Sequence, residues 1–82
     1  MTFTSIIWDL DDEPDGNVRH CAAHGVSQNE VEEALGNAND EDVSRSPGRP
    51  IVFGYTKTGR YLAVVFERVD EDAIYPATSY DV

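Results

Sequence analysis

Between Val43 and Phe66 the sequence carries Arg45, Arg49, Lys57 and Arg60, four of its 6 basic residues, and no acid. Guanidinium groups bind phosphate through paired hydrogen bonds, and tyrosine rings such as Tyr55 and Tyr61 can stack bases, the contacts that single-stranded RNA recognition combines. Arg45, Lys57 and Tyr55 are therefore candidate RNA-binding residues. The simpler alternative is that these cations keep a loop soluble and neutralise nearby carboxylates.

His20 and His24 stand four apart, a spacing that places two imidazoles on one helix face. A zincin needs a glutamate directly after the first histidine, where Cys21 stands here, and no third ligand stands out. The expectation is no metal. Asp11, Glu13 and Asp15 before Gly16 imitate the opening of a calcium loop, but the twelfth position is Ala22 rather than a bidentate glutamate. A solvated acidic turn is the simpler reading. Ser44, Ser46 and Ser79 lack the strained turn of a nucleophilic serine, Cys21 lacks a partner at a telling spacing, and no phosphate-cradling glycine loop is present.

These residues must be positioned by few elements. Phe3 to Trp8 is short, aromatic and β-branched and reads as a strand, followed by an acidic turn holding Pro14 and Gly16. Asp15 or Asn17 can cap a short helix through Val18, Cys21 and Ala22, which Gly25 ends. Ser27 and Glu30 form a capping box for a second helix, with Val26 and Val31 as a hydrophobic staple, Val31, Ala34 and Leu35 as its apolar stripe and Gly36 as its stop. Gly36 to Pro50 reads as a loop. Pro50 to Thr56 and Arg60 to Val69 read as strands joined by the three-residue loop Lys57-Thr58-Gly59. That register sets Thr56 opposite Arg60 and Tyr55 opposite Tyr61, both phenols on one face. The unbroken run Leu62 to Phe66 predicts a central strand covered on both sides. Ala73 to Tyr80 is a last strand, in which Pro76 argues for an edge or a strand end.

The whole chain is 82 residues, enough for one small domain, with 16 acids against 6 bases and a formal charge of −10. Generic polyanion binding is disfavoured by that balance. A single cysteine excludes an internal disulfide framework, and neither a signal peptide nor a membrane span is apparent, so the expected setting is cytoplasmic, with no membrane partner.

Several fragments together resemble the BrnT family of small bacterial toxins. Trp8-Asp9, Asn17 and His24-Gly25-Val26-Ser27 are similar to that family's opening, and Gly54-Tyr55-Thr56-Lys57-Thr58-Gly59-Arg60-Tyr61-Leu62-Ala63-Val64-Val65-Phe66 is similar to its later hairpin. Ala23 stands where family members commonly have lysine. The resemblance implies a RelE-like α+β fold over residues 1–82: a strand, two helices, then three antiparallel strands. It further implies a type II toxin whose ribonuclease activity stops translation, neutralised by a ribbon-helix-helix antitoxin. Arg60 and His24 carry over from the family pattern, with Arg45 or Arg49 at a basic position before the hairpin.

Metal-free RNA cleavage needs a base for the 2′-OH, cations for the phosphorane and an acid for the leaving oxygen. Arg60 and Arg49 are the candidates for charge stabilisation and His24, Tyr61 and Glu67 for proton transfer, with no cofactor. The rival expectation is a noncatalytic module on the same fold, whose acidic surface docks a basic protein. A core this small supplies only about 3–5 kcal/mol, so homodimerisation or antitoxin binding would add the remaining stability.

Overall fold

The computed structural model describes residues 5–38, 41–43 and 49–82, for 41–43 the backbone path alone. In chain order the elements are β1 (Ser5–Ile6), α1 (Asn17–Ala23), α2 (Gln28–Gly36), β2 (Glu41–Val43), β3 (Pro50–Tyr55), β4 (Tyr61–Arg68) and β5 (Ala73–Asp81). They form a small α+β domain whose five-stranded sheet runs β1-β5-β4-β3-β2. All neighbours are antiparallel except β1, which lies parallel to β5. Both helices pack on one face, α1 over β5 and α2 over β3 and β4.

Between the helices and the sheet, Val26, Val31, Ala34 and Leu35 meet Val52, Leu62, Val64, Phe66 and Ile74 in the main core. The opposite face holds a smaller cluster of Ile51, Ala63 and Val65, with Phe53 against it. Every residue from Leu62 to Phe66 is buried, as an apolar run without alternation requires of a central strand. The capping box is formed as expected: Ser27 Oγ accepts from Glu30 N (3.2 Å) and Glu30 Oε1 accepts from Ser27 N (3.0 Å). Gly25 (φ +77°) and Gly59 (φ +89°) adopt the left-handed backbone that side chains with a Cβ avoid. Gly59 thereby closes the loop that sets Tyr55 opposite Tyr61.

Four expectations are corrected. The Gly36–Pro50 segment includes β2, which pairs with β3 at Glu41–Val52, Asp42–Ile51 and Val43–Pro50. Turn-forming residue types around it concealed a three-residue strand. Gly36 is the last helical residue rather than the stop, and Asn37 follows as C-cap. Neither Asp15 nor Asn17 caps α1: Gly16 is at the N-cap with no side-chain bond, and Asp9 Oδ2 accepts from Asn17 N (2.9 Å) across eight residues. A sequence pattern for local caps does not see a cap delivered from another element. The first strand is also shorter than Phe3 to Trp8. Its pairing is confined to Ser5–Ala73 and Ile6–Ile74, and Phe3 and Thr4 lie outside the described residues.

Pro76 sits inside β5 without disrupting it. The β4–β5 register shifts between Val65 and Phe66: Phe66 opposes Pro76 and Val65 opposes Thr78, leaving Ala77 as the extra residue of a bulge. Beyond its short pairing with β1, the outward edge of β5 is covered by α1. Asn17 Nδ2 donates to Pro76 O (2.9 Å), and the Cys21 thiol accepts from the Ser79 backbone N–H. This arrangement removes the unpaired edge that would otherwise invite another strand.

Candidate functional site

The hairpin end of the sheet gathers most of the residues singled out for chemistry. Gly59 turns the chain so that Arg60 points back over the start of α2, where its Nη1 donates to Glu30 Oε2 (2.6 Å) and to Gly25 O (3.0 Å). Its Nε and Nη2 grip the two carboxylate oxygens of Asp81 at 3.1 and 2.9 Å. One guanidinium thus ties together the α1–α2 junction, the first turn of α2 and the end of β5. Two carboxylates answer one cation, so the cluster is negative overall. The Ser27 backbone N–H and then Arg60 hold Glu30 below the ordinary carboxylate range, Arg60 does the same for Asp81, and the two carboxylates hold the Arg60 proton more firmly still.

His24 is the C-cap of α1, next to the Gly25 carbonyl that Arg60 engages. Its ring centre lies 5.4 Å from that of His20 and 6.4 Å from that of Tyr80. Both histidines are exposed. On the sheet face turned away from the helices, the Tyr61 ring is tilted against Tyr55 with ring centres 4.5 Å apart and stacked with Phe53 at 6.0 Å. Lys57 is exposed in the hairpin loop, and its backbone N–H donates to Glu33 Oε1 (3.0 Å).

Arg49 and Glu67 are elsewhere. They pair with each other at 3.0 Å, both about half exposed, at the opposite end of β3 and β4. Glu67 is six residues along β4 from Tyr61, about 20 Å at some 3.3 Å per residue. The five residues assigned to cleavage therefore fall into two groups, Arg60, His24 and Tyr61 at one end and Arg49 with Glu67 at the other. Arg45 lies outside the described residues. Cys21 is fully buried and its thiol is pushed up to about 11 by desolvation, which leaves it without thiolate character at neutral pH. Among the described residues no group of three or more His, Cys, Asp or Glu is arranged to hold a metal ion, and no helix is long and apolar enough to cross a membrane.

A second polar cluster was not singled out from the sequence. Asn17 is 1% exposed, and every hydrogen-bonding group of its amide is engaged. Its Nδ2 donates to Ile7 O (3.0 Å) and Pro76 O (2.9 Å), while its Oδ1 accepts from Asp9 N (2.9 Å). In return Asp9 Oδ2 accepts from Asn17 N (2.9 Å) and from the Tyr75 hydroxyl (2.5 Å). The Tyr75 hydroxyl and then the Asn17 N–H hold the Asp9 carboxyl below its usual range, and the same contact pushes the Tyr75 phenol up to about 12. The only signal for this knot was the presence of Trp8-Asp9 and Asn17 among the family-like fragments.

These shifts fix the pH profile of stability. A carboxyl whose folded pKa is lowered stabilises in full above its unfolded value, 3.8 for Asp9 and Asp81 and 4.5 for Glu30, and the contribution fades as pH falls through the folded values. A phenol raised from 10.0 to about 12 stabilises in full below pH 10.0 and fades as pH rises through 12. The melting temperature is therefore expected to be level between these limits and to drop on both sides. Tyr75→Phe removes this source of alkaline loss and Asp9→Asn weakens both limbs, which thermal denaturation across pH will read. Limbs unchanged in both variants would contradict the assignment.

Compared with protein-family models, with curated proteins and with solved structures, the chain finds no match.

Proposed function

We propose that the chain is a BrnT-like domain that works by binding a basic partner protein and not by cutting RNA. What carries this reading is the state of two of the candidate cations: Arg60 is held by two carboxylates and a carbonyl, and Arg49 is held by Glu67 at the far end of the sheet. A phosphorane-stabilising site needs cations preorganised around one point with their charge unspent. Here the nearest anions are already the protein's own, and the overall charge of −10 opposes a polyanionic substrate while attracting a cationic protein. The RelE-like arrangement belongs to the same proposal, supported by two helices on one face of a sheet whose β3, β4 and β5 run antiparallel.

One observation favours ribonuclease instead. His20, His24 and Tyr80 put three exposed, proton-exchanging or stacking rings side by side, next to the aromatic pair Tyr55 and Tyr61. Incubating the purified chain with single-stranded RNA in excess EDTA separates the two readings. The interaction reading expects the RNA to remain intact at stoichiometric protein. Cleavage that His24→Ala abolishes, in a variant whose melting temperature matches wild type, would establish the nuclease.

A further inference from the structure

Among the described residues seven large apolar side chains are exposed, and four of them, Tyr55, Tyr61, Tyr80 and Val82, stand together on the sheet face that carries no helix. The register explains the grouping. Tyr55 opposes Tyr61, and Val82 follows on from the Leu62–Asp81 pair, its N–H donating to Tyr61 O at 3.1 Å; the next row is Phe53, Ala63 and Tyr80, and the third is Ile51, Val65 and Thr78. Across three strands this makes a nine-position surface on which the one polar side chain apart from the phenols is Thr78. Its hydroxyl oxygen is buried without a hydrogen-bond partner. Tyr61, stacked with Phe53 and tilted against Tyr55, stands on the same face as the fully buried Ala63. Both ends of the first row stay in water: Tyr55 is 58% exposed and Val82 68%. Exposed aromatics collected in one place mark an interaction surface, and tyrosine is prominent among residues that dominate binding energy.

We infer that this face is the docking surface for a basic, amphipathic protein segment, apolar on one side and edged with lysine or arginine. The inference rests on the interaction reading above and names its surface and its occupant. Charge selects the occupant. Of the cations around the patch, Lys57 is exposed in the hairpin loop, Arg60 is outnumbered by Glu30 and Asp81, and Arg49 beyond the third row is matched by Glu67. The field at the patch is therefore set by the −10 of the whole chain. It draws in cationic groups, which also find the faces of exposed tyrosine rings, and it opposes both a nucleic acid and a second copy bearing the same charge.

The test uses a fluorescent amphipathic helical peptide of leucine and lysine, its leucine–glutamate counterpart, and an oligouridylate, each titrated with the intact chain. The leucine–lysine peptide is expected to bind and the other two are not. Tyr55→Ser with Tyr61→Ser should weaken binding at least about tenfold, whereas Tyr55→Phe with Tyr61→Phe should retain it within about threefold. The amide triple variant Asp11→Asn, Asp12→Asn, Glu13→Gln should weaken it less than the serine pair does. Binding that survives the serine pair but is lost in the amide triple would overturn the inference and leave the interaction reading standing on another surface. Absence of any leucine–lysine binding would overturn the interaction reading itself. Oligouridylate binding lost in the serine pair would make the face an RNA platform, and concentration-dependent dimerisation lost in the serine pair would make it a self-interface; either outcome overturns the inference.

Discussion

Gly54→Ala is expected to unfold the domain or nearly so. A Cβ built on Gly54 would lie 2.0 Å from the Ala34 carbonyl oxygen and 2.8 Å from its carbonyl carbon. Both are backbone atoms of α2, so no rotamer change relieves the contact. The helix would have to retreat by more than an ångström, opening space under Val31, Ala34 and Leu35, which are buried against the sheet. Overpacking of this kind costs about 1–3 kcal/mol and more where backbone must move, against the total of about 3–5 kcal/mol that a core of this size supplies. Urea denaturation measures the loss. Because the obstacle is a carbonyl, Ala34→Gly in the same chain should restore nothing. Gly36→Ala is the matched control: it meets no atom within 4 Å, lies in a helix, and should stabilise by about 0.5–1 kcal/mol. A Gly54→Ala variant as stable as wild type would mean that α2 does not ride directly on β3.

Asn17→Ala is expected to cost about 1–3 kcal/mol, the range for leaving the buried partners of a hydrogen-bonded group unsatisfied. The substitution removes the side-chain amide that joins the segment after β1, the start of α1 and the middle of β5. Ile7 O and Pro76 O lose their donor and Asp9 N its acceptor, while only the Asn17 backbone bond to Asp9 remains. Asn17→Asp should be worse at neutral pH, since it keeps the shape but sets a carboxylate against two carbonyls and beside the Asp9 carboxylate. Chemical denaturation of both variants gives the comparison; losses below about 1 kcal/mol in both would show that the knot is solvated rather than structural.

Much of this architecture is legible in the sequence because it is local. The capping box of Ser27 and Glu30, the left-handed glycines at 25 and 59, and the Tyr55–Tyr61 register each depend on residues within a few positions of one another. The centrality of β4 follows from its apolar run. What the sequence does not disclose is contact between distant positions. The Asp9 cap on α1, the grip of Arg60 on Glu30 and Asp81, and the amide of Asn17 on Pro76 span 8, 30, 21 and 59 residues. Residue type alone presents Arg60 as a cation for a phosphate, while the fold presents its two anions at the same time. The separation of Arg49 and Glu67 from Arg60 and His24 is different: it follows from the hairpin register by counting residues along β4.

The family-like fragments take on a physical meaning in this light. Asp9 and Asn17 form one knot, and Gly25, Ser27 and Arg60 meet through Glu30 and the Gly25 carbonyl in another. Both networks hold elements together, and neither presents an unmatched cation to solvent. A likeness carried by such residues speaks for an arrangement of helices and strands, and chemistry must be judged from the surface that arrangement displays.

The most direct test of the central claim is inducible expression of the wild-type chain in a bacterial host, with growth and the integrity of total RNA followed together. The account predicts undisturbed growth and intact RNA. Growth arrest accompanied by RNA loss, abolished by His24→Ala in a variant that accumulates to the same level, would contradict it.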